Sequence, residues 1–153
     1  MSIVVEPLSS ALGAEIRGVD LRHDLSPEIR SQIVDVFSEH LVMLFRDQEL
    51  TEELQFHFAG YLGEIGQRSL PQDQWPEGRD HNSAIMLISN IREKGKLIGS
   101  LPDGELWFHH EMCYVKAPAK VTLLYPVEVP AQGGNTRFAN MYKAYDALSN
   151  TVK

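Results

Sequence analysis

The residues best able to do chemistry lie in one stretch, Leu106-Trp107-Phe108-His109-His110-Glu111-Met112-Cys113-Tyr114. In an extended segment residues two apart point the same way, so His109 and Glu111 would offer an imidazole and a carboxylate on one side while His110 faces the other. A nitrogen and a hard oxygen side by side are half of a metal site. The pair suits Fe(II), whose facial sites take two histidines and one carboxylate and leave the opposite face open for cosubstrate and oxygen. His-x-Glu also arises by chance. Spacing alone favours the plainer alternative, a histidine partly buried against Trp107 and Phe108 beside a solvated glutamate.

The remaining candidates read as structural. His23, His40, His57 and His81 stand in polar helix or loop contexts and are expected at the surface. Cys113, between aromatic and aliphatic neighbours, is expected to be a small buried hydrophobe rather than a nucleophile.

The elements that would carry this stretch can be read from periodicity. Ile3 to Val5 and Ala14 to Leu21, punctuated by Gly13 and Gly18, suggest short strands or a hairpin. Ser26-Pro27-Glu28 is a helix start, with a capping hydroxyl, a proline at the first helical position and an acid near the positive end of the dipole. Ile29, Ile33, Val36 and Phe37 share one face, predicting a core-facing helix over 27–39. Leu41 to Phe45 reads as a strand buried on both sides, and Asp47 to Leu50 as a turn. Thr51 caps a second helix whose stripe is Leu54, Phe58, Tyr61 and Leu62, with Gly63 ending it.

Further on, residues 66–82 form a long polar loop with Pro71 and Pro76, a candidate for part of a substrate mouth. Ala84 to Ser89 is strand-like, and Gly95 to Gly104 is irregular. Val121 to Val129 is a strand interrupted by Pro126, which suggests an edge or a bend. Gly133-Gly134 makes a turn and Thr136 to Ala139 resumes extended structure. Asn140 caps a last helix with Met141, Ala144, Tyr145 and Leu148 on one face. Strands separated by long turns and interrupted by helices suggest a β-sandwich or jelly roll wrapped by helices. A doubly wound α/β sheet is disfavoured because no glycine-rich phosphate loop follows a strand.

Composition narrows the function classes. Of 153 residues 43% are hydrophobic and 23% charged, the balance of a globular domain rather than a disordered or membrane-spanning chain. Lys and Arg number 14 against 21 Asp and Glu, a net charge of −7, so the basic footprint of a nucleic-acid binder is missing. The charge is uneven: residues 1–80 hold 6 basic and 15 acidic side chains and residues 81–153 hold 8 and 6, so the second part receives a small anion more easily. A single cysteine excludes an internal disulfide and a multi-thiolate zinc site, which makes the cytoplasm the default. The N-terminus lacks the basic-then-apolar pattern of a signal peptide, and no apolar run is long enough to cross a bilayer.

Taken together, several of these segments resemble one family. They are Trp107-Phe108-His109-His110-Glu111-Met112, the run Thr122-Leu123-Leu124-Tyr125 into Val127-Glu128-Val129-Pro130, and Gly133-Gly134-Asn135-Thr136-Arg137-Phe138-Ala139-Asn140-Met141-Tyr142 followed by Ala144-Tyr145-Asp146-Ala147-Leu148. Leu12-Gly13-Ala14-Glu15-Ile16, Gly18-Val19-Asp20-Leu21 and Leu44-Phe45-Arg46-Asp47-Gln48 before Leu50-Thr51 fit as well. In order and spacing they resemble the taurine dioxygenase (TauD/TfdA) family of Fe(II)- and 2-oxoglutarate-dependent oxygenases, over nearly the whole chain.

The resemblance implies a mainly β, α+β fold with a double-stranded β-helix (jelly roll) core. It implies that His109 and Glu111 are the first iron-binding histidine and the carboxylate ligand, Glu111 being longer than the usual Asp. It implies that Thr136 hydrogen-bonds the 2-oxoglutarate carboxylate. The family's second iron-binding histidine and the arginine that meets the far carboxylate lie in its C-terminal half, so residues 1–153 are expected to be the N-terminal part of one domain. The implied reaction decarboxylates 2-oxoglutarate to succinate and CO2 and, with molecular oxygen, hydroxylates a small organic acid such as taurine or a related sulfonate. The alternatives are an inactive fragment and a cupin-like metal protein of another chemistry. No nucleic-acid or membrane partner is expected, and a homo-oligomer is left open.

Overall fold

A computed structural model describes residues 2–66, 85–97, 99 and 107–153. Chain contacts divide it into two units, residues 1–61 with 124–153, and residues 62–123. The proposed mouth loop, apart from Gly66, lies outside the described residues, as does His81.

The first unit is built on a hairpin. Strands β1 (Val4–Pro7) and β2 (Ala14–Arg17) pair antiparallel with Val5 opposite Ile16. Gly13, at φ +91°, sits in the left-handed region that a side chain disfavours, and its carbonyl accepts the Leu8 amide at 2.8 Å to close the connection. β2 then pairs in parallel with β3 (Met43–Leu44), and helix α1 (Pro27–His40) makes the crossover that a parallel pair requires.

Helix α1 starts where its capping residues dictate. Ser26 is extended, and its hydroxyl accepts the Ile29 amide at 3.4 Å, with Pro27 in the first turn. Ile29 and Ile33 are buried, joining Ala14, Ile16, Leu21, Leu25 and Phe58 in the core. Val36 and Phe37, predicted on the same face, are half-buried. Leu41 ends the helix in the left-handed region at φ 66°, its amide donating to the Phe37 carbonyl at 2.8 Å. That corrects the expected five-residue buried strand: Leu41 terminates the helix, only Met43–Leu44 enter the sheet, and the run is half-buried.

Strand β2 is buried on successive residues, Ala14, Glu15 and Ile16, so its second face must accommodate a carboxylate. Glu15 is matched by two guanidiniums, Arg17 at 2.8 Å and Arg46 at 3.0 Å. The Arg46 contact, then that of Arg17, holds the carboxyl below its ordinary range. Helix α2 (Glu52–Leu62) packs Phe58 edge-on to Phe45, ring centres 5.3 Å apart, and places Leu54, Tyr61 and Leu62 at half-buried positions. Across its outer side Asp24 accepts from both His57, at 2.7 Å, and Tyr61, at 3.1 Å, while the Arg30 guanidinium lies 3.8 Å over the Tyr61 ring.

The C-terminal stretch is tied to this unit by polar side chains. Tyr125 donates to the Gln48 carbonyl and accepts the Leu50 amide, both at 3.2 Å. Asn140 caps helix α3 (Met141–Asp146), accepting the Lys143 amide at 3.0 Å, and donates to the Ala11 carbonyl at 2.7 Å. Lys143 reaches the Ser10 carbonyl. The predicted face of α3 is exposed, Met141, Tyr145 and Leu148 included.

The second unit holds a tight hairpin that the sequence reading missed, β4 (Arg92–Glu93) with β5 (Lys96–Leu97). Lys94 and Gly95 both have positive φ, the signature of a two-residue turn matched to strand twist. The strands expected at 84–89 and 121–129 are absent among the described residues. Side chains of 85–90 and 121–126 still alternate half-buried and exposed, as a strand's do, but they join no ladder, and a strand exists only through a pairing partner. The described residues therefore form a mixed α+β structure with one three-stranded and one two-stranded sheet.

Candidate metal centre

His109 and Glu111 come together, although not by the predicted route. Residues 107–110 are irregular and 111–114 form a turn, with Met112 at φ 50°. The His109 Nε2 atom lies 3.6 Å from Glu111 Oε2, and both side chains are about half exposed. His109 Nδ1 is 2.8 Å from the Trp107 carbonyl. A carbonyl oxygen can only accept, so Nδ1 carries a hydrogen, and Nε2 is the ring nitrogen that faces Glu111. Metal-binding histidines are commonly oriented by such a bond. The Trp107 bond, more than the Glu111 charge, raises the imidazole's proton affinity, and slight burial opposes it.

Trp107 is 89% exposed and Phe108 71%, beside a His109 side chain that is 56% exposed. Cys113 is exposed as well, against the expectation of a buried hydrophobe, because the 111–114 turn carries it to the surface. His23 is exposed as expected and His57 is half exposed, but the His40 side chain is only 18% exposed, drawn in at the end of α1. Thr136 belongs to the other unit, where it is exposed in an irregular stretch after the Gly133-Gly134 turn. Among the described residues no group of three or more His, Cys, Asp and Glu could hold a metal ion.

One contributor escaped the sequence reading: the Trp107 carbonyl is a backbone atom, and residue types carry no trace of it.

The donor set fits a hard or borderline divalent ion such as Fe(II), with one imidazole nitrogen and one carboxylate within a coordination sphere's reach. Comparison with known proteins points the same way. The family model described as "Taurine catabolism dioxygenase TauD, TfdA family" matches residues 5–153. The α-ketoglutarate-dependent 2,4-dichlorophenoxyacetate dioxygenase of Cupriavidus pinatubonensis is 32% identical over all of this chain and 55% of its own length. The α-ketoglutarate-dependent sulfate ester dioxygenase of Pseudomonas putida is 29% identical over all of this chain and 46% of its own. A crystal structure of a taurine dioxygenase from Burkholderia xenovorans is 38% identical where it aligns, covering 46% of this chain and 25% of that one at a TM-score of 0.43. The chain spans about half the length of the curated relatives it matches. With the family's model matched over residues 5–153, this chain belongs to the TauD, TfdA family of Fe(II)- and 2-oxoglutarate-dependent dioxygenases.

Proposed function

We propose that this chain forms part of an oxygenase that hydroxylates a small organic acid, using Fe(II), 2-oxoglutarate and molecular oxygen and releasing succinate and CO2. His109 Nε2 and the Glu111 carboxylate are two of the three protein ligands of the iron. The Thr136 hydroxyl donates to a 2-oxoglutarate carboxylate. The observation that carries this reading is the 3.6 Å approach of an imidazole nitrogen to a carboxylate in a chain of this family.

The third ligand, and a cation for the far carboxylate of 2-oxoglutarate, come from residues outside this chain. Support comes from the relatives, of which this chain spans about half. The same residues give the alternating segments 85–90 and 121–126 the strand partners of a jelly roll. The substrate is an organic anion, a sulfonate such as taurine or an acid of the aryloxy type named for the Cupriavidus relative. We place the protein in the cytoplasm, on its single cysteine.

The roles of the residues follow from their chemistry. The Trp107 carbonyl holds Nδ1 and so turns Nε2 toward Glu111 as the ligating atom. Glu111 supplies the negative charge that offsets the cation, and the hydroxyl of Thr136 stabilises an anionic ligand by a charge-assisted hydrogen bond. Iron with a chelated keto acid supplies the oxidising power for hydroxylation. The test is anaerobic addition of Fe(II) and 2-oxoglutarate to the intact protein. A visible charge-transfer band that His109→Ala and Glu111→Ala each abolish is the expected result, and a protein without that band contradicts the reading.

A further inference from the structure

The first unit brings together three donor atoms that the chemistry above does not use. His57 and Tyr61 stand four residues apart on α2 and so share one face of it, and Asp24 lies two residues before the Ser26 cap of α1. His57 Nε2 is 2.7 Å from Asp24 Oδ1 and 2.5 Å from the Tyr61 hydroxyl oxygen, which is 3.1 Å from the same Oδ1. Arg30 braces the group without joining it. Its guanidinium lies over the face of the Tyr61 ring, and its Nε donates to the Leu25 carbonyl at 2.7 Å.

The three contacts outnumber the hydrogens that could fill them. Nε2 and the phenol oxygen carry at most one hydrogen each and an ionised carboxylate carries none, so one edge of the triangle has no hydrogen of its own. A cation bonded to all three atoms removes that deficit.

We propose that Asp24 Oδ1, His57 Nε2 and the Tyr61 oxygen form one face of a second metal site, which takes a borderline divalent transition-metal ion, Cu(II) before the others. Ligands bonded at about 2.1 Å and at right angles stand about 3 Å apart, close to the three edges here. Asp24 and His57 alone are two donors, and the phenol is the third. Imidazole suits copper, zinc and nickel, and Cu(II) heads the affinity order of the divalent ions. The His57 side chain is half exposed and that of Asp24 is exposed, so water reaches the remaining positions of the ion. As the metal binds, the phenol proton passes to solvent and the imidazole hydrogen stands on Nδ1. The site shares no residue with the His109–Glu111 pair and does not rest on its role.

Tyrosinate bound to Cu(II) gives a visible charge-transfer band that imidazole and carboxylate ligands lack, so the probe is Cu(II) titrated into the intact protein. The band is expected in the parent protein. Tyr61→Phe, which keeps the ring beside Phe58 and under Arg30, should abolish it. His57→Ala and Asp24→Asn should each weaken Cu(II) binding about tenfold or more, since loss of even an outer partner costs a metal site that much. The band should persist in His109→Ala, because the pair at 109 and 111 has no phenol.

A parent protein without the band overturns the proposal, as does a band that survives Tyr61→Phe. Cu(II) affinity unchanged in both His57→Ala and Asp24→Asn overturns it too. Loss of the band in His109→Ala would also overturn it, by moving the copper to the other pair.

Discussion

Residues 14–58 and residues 107–152 are both rich in apolar side chains, yet they end differently. In the first stretch Ile33 is 1% exposed; in the second Trp107 is 89% and Val127 85% exposed. The periodic signals are present in both, a helical stripe at 29–37 and alternation at 121–125. What differs is the partner. Helix α1 lies between two strands that pair with each other, whereas 121–125 has no strand beside it among the described residues. A sequence pattern therefore names the face that wants burial, and only a neighbouring element turns that face into a core or a ladder.

The largest effect that would sharpen this contrast is at Ile33. Ile33→Ala should lower unfolding free energy by about 2–5 kcal/mol, because it empties a fully enclosed site, and denaturant unfolding measures it. The helix caps come next. Ser26→Ala, at the start of α1, should cost about 1 kcal/mol, and Asn140→Ala about as much through its cap on α3, together with release of α3 from the Ala11 carbonyl. Equal tolerance at Ile33 and Val127 would break the comparison.

These predictions mark how far the sequence could be read. Ser26-Pro27-Glu28 and Asn140 are local signals, satisfied by atoms within a few residues, and both helix starts are found where the sequence puts them. The strands at 84–89 and 121–129 depend on a partner distant in sequence, and the sequence carries no sign of which one. Lys94-Gly95 is a turn signal that was legible and went unread, since glycine beside a polar residue suits positive φ. In the candidate site the residue types of His109 and Glu111 could be read, but the backbone carbonyl of Trp107 that orients the imidazole has no sign in the residue types.

A smaller effect is expected in acid. Arg46 and Arg17 hold the Glu15 carboxyl below its ordinary value of 4.5, so their contribution to stability is present above that pH and is lost as pH falls through the lowered folded value. Glu15→Gln should flatten this acid dependence, measured as denaturation midpoints at neutral and acid pH. An unchanged acid profile would show that the two arginines do not stabilise β2. The smallest change is at the exposed end of the comparison: Val127→Ala should alter unfolding free energy by no more than about 0.5 kcal/mol in the same denaturant experiment.

The most direct test of the metal centre is turnover. Succinate formed from 2-oxoglutarate by the intact protein, under oxygen with Fe(II) and an organic-acid substrate, should fall to background in both His109→Ala and Glu111→Ala while helix content is unchanged. Succinate production that survives either substitution would contradict the assignment of this imidazole and this carboxylate as iron ligands.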